Sequence, residues 1–319
     1  MQNNTKTSPS GSVLPRLAMI NSFAGFGRCS TTISLPVISA MQVQVCPVPT
    51  AILSNHLAFP KCHHVDYTPY MGDYIATWKA LGVTFDGLYC GFLGNGELIE
   101  TVEQFVADFK PPVFLLDPVM GDNGRRYTSV TEAHCEALRE LAKHATLLTP
   151  NLFEACLLTG LDYDEVNTAL GKQKWNNTGI HSEIRDDIGI HSELGDEPAD
   201  RLLTELTLKL QAICPGDIVI SGIEQGNILI NYILQGNKKA TYQIPKAGAP
   251  HHGTGDLFAS ILIADSLHGI DLMSSVKKAS DFIALCIRGT EEAGAPEIEG
   301  VLFERYLGEL ISSRVTPQI

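Results

Sequence analysis

The sequence predicts an α/β fold: a mostly parallel central sheet with helices on both faces and an antiparallel hairpin at one edge. Three observations carry this. Short apolar runs alternate with longer helical segments along most of the chain, the pattern of strand–helix–strand units joined by right-handed crossovers. Most of the short runs are nearly continuous in Val, Ile, Leu, Phe and Cys, as strands covered on both faces require. Late in the chain the pattern changes to two alternating segments linked by Gln235-Gly236-Asn237, which is a hairpin signal.

The elements follow in order. Residues 1–15 are polar and rich in Ser, Thr, Asn and Pro, and are expected to be a disordered tail. Strands are expected at 17–21, 43–50, 85–91, 113–119, 146–150 and 217–221. Helices are expected at 31–41, 69–81, 97–109, 130–144, 151–160 and 200–213. The hairpin takes 227–234 and 239–245. Helices over 255–268, 271–290 and 299–313 close a single domain spanning 16–313. One stretch departs from the pattern. Residues 171–200 are polar and hold a near-duplicate, Gly179-Ile180-His181-Ser182-Glu183-Ile184 and Gly189-Ile190-His191-Ser192-Glu193-Leu194. Two copies are too few for a solenoid, so the stretch reads as a surface insert. His181 and His191 lack a third ligand at metal spacing.

Composition narrows the function. The 319 residues carry 23 Lys and Arg against 36 Asp and Glu, a formal net charge of −13. That excludes a nucleic-acid partner, which needs clustered basic residues to neutralise phosphates. Any phosphate site must then work locally, through backbone N–H groups and metal ions. The N-terminus lacks a signal-peptide core, and no apolar stretch approaches a membrane span, so a cytoplasmic protein without a membrane partner is expected. Eight cysteines occur singly, with no C-x-x-C pair; they read as reduced, buried small hydrophobes.

Three motifs carry chemistry. In His252-Gly253-Thr254-Gly255-Asp256-Leu257-Phe258 a small-residue turn opens into a helix that is apolar on nearly all sides. The glycines let the backbone approach a ligand, and the first helical N–H groups with the macrodipole favour an anion. A transferring phosphoryl group fits there, with Asp256 placed to accept a hydroxyl proton. The ordinary alternative is a cap, with Thr254 as N-cap and Asp256 as a first-turn acid. In Asp117-Pro118-Val119-Met120-Gly121-Asp122, two carboxylates leave the end of a buried strand, where ligands bind in open α/β sheets; Asp-Pro and Asp-Asn-Gly are also common turn formers. In Thr149-Pro150-Asn151-Leu152-Phe153-Glu154, Asn151 and Glu154 stand at capping-box spacing, and a nucleotide-phosphate role is the functional reading. The run Gly25-Phe26-Gly27-Arg28-Cys29-Ser30 fails as a dinucleotide fingerprint, because Ser30 replaces the third glycine and no acid follows about 20 residues on. His56 with Cys62-His63-His64 matches no standard zinc spacing.

These motifs, in this order, resemble the ribokinase-like superfamily, and within it the pyridoxal (pyridoxine, pyridoxamine) kinases. Ser54-Asn55-His56 and Gly25-Phe26-Gly27-Arg28-Cys29-Ser30 add to the resemblance, which spans about 16–313 apart from the insert. It implies a three-layer sandwich and an ATP-dependent kinase of a B6 vitamer, a member of vitamin B6 salvage. It implies Asp256 as the general base on the 5′-hydroxymethyl, with Gly253, Thr254 and Gly255 forming the anion hole. It implies Asp117, Asp122 and Glu154 around Mg²⁺, with Asn151, Glu154, Ser221, Thr254 and Asp122 at the ATP. It also implies a monovalent cation such as K⁺, a homodimer, and Ser22, His56 and Phe92 on the substrate side. Departures lie on that side: Asn21, Leu57 and Phe92 stand where many pyridoxal kinases have Gln, Thr and Tyr. Two alternatives stay open. One is the hydroxymethylpyrimidine kinase of thiamine synthesis, which lacks support in the Asn21-Ser22-Phe23-Ala24-Gly25 run. The other is a vitamer-binding protein without catalysis, which would be expected to have lost the base or the glycines.

Overall fold

The computed structural model describes residues 11–172 and 198–312. The duplicated stretch, with His181 and His191, lies outside these residues, as does most of the expected tail. In chain order the strands are β1 (Arg16–Ala24), β2 (Gln44–Leu53), β3 (His64–Asp66), β4 (Gly87–Cys90), β5 (Val113–Leu116), β6 (Gly121–Asp122), β7 (Arg125–Arg126), β8 (Leu147–Leu148), β9 (Asp217–Gln225), β10 (Ile228–Gln235) and β11 (Lys238–Pro245). The helices are α1 (Thr31–Ala40), α2 (Thr68–Ala80), α3 (Gly96–Phe109), α4 (Glu132–Ala142), α5 (Leu152–Thr159), α6 (Tyr163–Lys172), α7 (Pro198–Ile213), α8 (Thr254–Leu267), α9 (Leu272–Glu292) and α10 (Leu307–Ser312). They make the expected mixed, mostly parallel sheet with helices on both sides and an antiparallel edge pair.

The chain divides into two compact units, Met1–Leu115 with Ala247–Ile319, and Leu116–Lys246. In the first, β1 pairs in parallel with β2 and β4, and β3 adds antiparallel to β2. Leu17, Ala18, Met19 and Ile20 of β1 are wholly buried, which is why that run carries no polar residue. Helix α8 packs against α1 and α9, and α2 against α3. Every residue of α8 from Leu257 to Asp265 is buried, as a helix apolar all round must be. The one acid within that stretch, Asp265, accepts a hydrogen bond from Lys278 Nζ of α9 at 2.9 Å.

In the second unit β8 runs parallel to β9, while β9, β10 and β11 form an antiparallel meander. Strands β6 and β7 form a small hairpin. Its turn residues, Asn123 and Gly124, sit at φ 50° and 74°, the left-handed pair that a two-residue Asn-Gly turn uses. Helix α7 packs on α5 and α6.

Several expectations need correction. The strand expected to reach 119 stops at Leu116, since Pro118 has no N–H to donate and Asp117 before it is restricted. The first hairpin strand is preceded by a longer β9 that reaches Gln225, and its turn is Gly236-Asn237, with Gln235 still in β10. The helix expected over 299–313 breaks into two 3₁₀ turns, Glu297–Glu299 and Glu304–Tyr306, before α10. Helix α6 was hidden by its polar composition. All eight cysteines are free and five are buried. Among the described residues no helix is long and apolar enough to cross a membrane.

Candidate active site

In the first unit the Gly-Thr-Gly turn forms the start of α8, and the N-cap is Gly253, not Thr254. Gly253 sits at φ 85°, and a Cβ there would lie 2.2 Å from the carbonyl oxygen of Arg28. Only glycine meets both conditions. Thr254 turns its hydroxyl back to donate to the His251 carbonyl at 3.2 Å. Asp256 is therefore on the first turn, where helical N–H groups have no partner within the helix. Its Oδ2 accepts from the Ser30 amide at 2.7 Å, and its Oδ1 accepts from Asn21 Nδ2 at 3.4 Å and from the Tyr89 hydroxyl at 3.5 Å. Burial raises the Asp256 carboxyl above its ordinary range, opposed by these donors, which favour the charged form.

The loop Gly25–Ser30 is strapped down around this carboxylate. Gly25 donates to the Leu53 carbonyl at 2.8 Å, and Arg28 donates its amide to Glu299 at 3.0 Å and its Nε to Glu304 at 2.7 Å. Ser22, buried at the end of β1, donates its hydroxyl to Ser30 Oγ at 3.0 Å. His56 is buried with both ring nitrogens engaged. Nδ1 accepts from the Ala58 amide at 3.3 Å, so Nε2 carries the proton and donates to the Ile298 carbonyl at 2.7 Å. Its ring packs on Phe59 and His252. As placed, His56 ties the loop together rather than offering a hydrogen bond to a ligand. Phe92 is half-buried just after β4.

The second unit gathers the other predicted residues. Asn151 caps α5: its Oδ1 accepts from the Glu154 amide, and Glu154 Oε2 accepts from the Asn151 amide, both at 2.9 Å. The box reaches into the neighbouring loop, because Glu154 Oε1 also accepts from the Met120 amide at 3.0 Å and Asn151 Nδ2 donates to the Gly121 carbonyl at 2.9 Å. Burial pushes the Glu154 carboxyl up to about 8, against the amides of Asn151, Met120 and Gly121, with the charge of Asp122 adding to the rise. Asp122 is exposed, and Asp117 is half-buried. Ser221 donates its amide to Pro150 at 2.9 Å and bridges to Asn151. Among the described residues no group of three or more His, Cys, Asp or Glu is gathered to hold a metal.

Asn21, Ser30 and Tyr89 around Asp256 were not among the predicted site residues. Asn21 had a signal, a polar side chain at the carboxyl end of an apolar strand. Ser30 contributes a backbone amide, which no sequence pattern reports.

Comparison with known proteins agrees with this architecture. The phosphomethylpyrimidine kinase family model matches residues 35–178. The pyridoxine/pyridoxal/pyridoxamine kinase of Bordetella avium is 27% identical over 288 residues, 86% of this chain and 84% of that one. The hydroxymethylpyrimidine/phosphomethylpyrimidine kinase of Haemophilus influenzae is 32% identical over 199 residues, 62% of this chain and 63% of its own length. A crystal structure from Bacteroides thetaiotaomicron, described as a phosphomethylpyrimidine kinase, superposes with a TM-score of 0.80 at 31% identity over 93% of this chain and 94% of that one. A second crystal form of that protein contains pyridoxal. The fold and these matches define a small-molecule kinase. The chain belongs to the ribokinase-like superfamily, in the group that holds the phosphomethylpyrimidine and pyridoxal kinases.

Proposed function

We propose that this protein transfers the γ-phosphoryl group of ATP to the 5′-hydroxymethyl of a B6 vitamer, with Asp256 as general base. The observation that carries the reading is Asp256 itself. An acid in the first turn of a buried helix, held by three donors beside a turn that only glycine can form, suits a base acting next to a phosphoryl group. The pyridoxal in the Bacteroides relative, at 31% identity, supports the vitamer as substrate class. The amides of Gly253, Thr254 and Gly255 would stabilise the charge on the transferring group. Asn151, Ser221 and Asp122 would lie at the nucleotide. Mg²⁺ supplies charge neutralisation on the phosphates when bound, and it suits a site with few protein ligands because it keeps its waters and phosphate oxygens. Asp122 and Asp117 would face it. Glu154, with both oxygens on amides, would brace their loop instead of binding the ion directly.

A second reading, a hydroxymethylpyrimidine kinase, is favoured by the family match and by the Haemophilus relative. Its substrate is also a flat nitrogen heterocycle with a hydroxymethyl group, so one assay separates the two. The purified chain with ATP and Mg²⁺ is offered pyridoxal, pyridoxine, pyridoxamine and hydroxymethylpyrimidine, and phosphorylated product is followed by ³¹P NMR. We expect kcat/KM for at least one vitamer to exceed that for the pyrimidine by about tenfold or more, the scale of discrimination that pocket contacts supply. The reverse ranking selects the second reading. No turnover of any of the four means a binding protein.

A further inference from the structure

The carboxylate of Asp256 is held from two sides by groups that the reading above leaves without a role. Asn21, buried at the end of β1, reaches Oδ1 with its Nδ2, and the Ser30 amide reaches Oδ2 from the loop before α1. Both donors are themselves fixed. Asn21 Oδ1 accepts from the Ser22 amide at 2.8 Å, which sets which end of the side-chain amide faces Asp256. Gly91 forms the surface against which that amide lies: a Cβ at this position would come within 2.5 Å of Asn21 Nδ2. Ser30 adopts φ 53° and ψ −136°, a backbone region that residues with a Cβ seldom occupy and that is held only where the surroundings impose it. The Ser22–Ser30 hydroxyl pair at 3.0 Å joins the two holders to each other.

We propose that Asn21 and Ser30 are positioning residues that clamp the Asp256 carboxylate in the orientation from which it accepts the substrate's hydroxyl proton. The inference rests on Asp256 being the base. Two other titratable groups face the carboxylate. Tyr89 on β4 donates its hydroxyl, and the Cys29 thiol, pushed up to about 12 by burial and by the Asp256 charge, stays neutral. Of the groups at this carboxylate, Asp256 is therefore the one that titrates on the acid limb; Glu154 in the second unit, pushed up to about 8, is untouched by the variants below and contributes alike to every profile. Each donor favours the ionised carboxylate, so removing one raises its pKa and moves that limb to higher pH.

The test is the pH profile of kcat/KM for pyridoxal with ATP, measured with melting temperatures for the wild type, Asn21→Leu, Gly91→Ala and Ser30→Gly. Asn21→Leu is expected to lower kcat by about tenfold, part of what a general base contributes, and to move the acid limb upward while KM for ATP holds. Gly91→Ala leaves every donor group in the chain but pushes the Asn21 amide off Asp256, and should shift the limb the same way. Ser30→Gly is expected to melt no lower than the wild type yet turn over more slowly, because relaxing the turn frees the amide from its aim. Should Asn21→Leu fail to fold, the other two variants carry the test. Folded variants with wild-type kcat and an unmoved acid limb would overturn the clamp. Asp256→Asn distinguishes the failures: if it keeps full turnover, the base assignment falls. If it is inactive while the clamp variants are unaffected, only the clamp falls.

Discussion

At Asp256 opposing influences meet: burial raises its pKa, while the Ser30, Asn21 and Tyr89 donors pull it down. The net effect is a carboxyl held above its ordinary range, the direction that a general base requires. The same field acts on its neighbour. The Cys29 thiol, desolvated and beside the Asp256 charge, is pushed up to about 12, so at pH 8 only about one thiol in ten thousand is the reactive thiolate. Cys29 should therefore resist iodoacetamide at pH 8 over the time in which an ordinary exposed thiol is consumed, as peptide mass spectrometry would report. Labelling should grow tenfold per pH unit as pH rises. Rapid modification at pH 8 would contradict the environment described for this loop. Asp256 was legible in the sequence because its type and its place after Gly253-Thr254-Gly255 both report chemistry. Its holders were not, because a backbone amide at a strained serine and a tyrosine inside an apolar strand leave no periodic or spacing signal.

Helix ends and turns place these residues. Gly253 is the strictest point, since left-handed backbone and the Arg28 carbonyl at 2.2 Å from any Cβ act together. Gly253→Ala is expected to cost about 1–3 kcal/mol of stability through strain. It should also lower kcat by about a hundredfold, the scale of a lost anion-stabilising donor; thermal melts and steady-state kinetics check both. An alanine variant with unchanged kcat would remove the turn from the chemistry. In the second unit the capping box of Asn151 and Glu154 does more than end a helix, because the same two side chains also hold Met120 and Gly121 in the loop that carries Asp122. The spacing Asn-x-x-Glu was readable. The reach to a loop 30 residues earlier is tertiary, and no local pattern encodes it. Element boundaries failed where composition misleads: in α6 only Val166 and Leu170 are buried, too few to stand out in a polar segment, and Gly300, at φ 78°, interrupts the helix expected near the C-terminus.

Across the molecule, the alternation of apolar strands with helices showed the layers, and the buried runs Leu17–Ile20 of β1 and Leu257–Ala264 of α8 are two of the apolar stretches that made it readable. The net charge of −13 disfavours an approaching polyphosphate at long range, so local amides at helix starts and a counter-ion must do the attracting. On the expected substrate side, His56 spends both nitrogens on backbone groups, a tertiary arrangement that no sequence pattern reports. The proposed function depends on a single proton transfer at α8. The most direct test is Asp256→Asn, assayed for ATP-dependent phosphorylation of pyridoxal with ATP binding followed by calorimetry. We expect turnover to fall by about a hundredfold or more while ATP still binds; turnover at the wild-type rate would contradict Asp256 as the base.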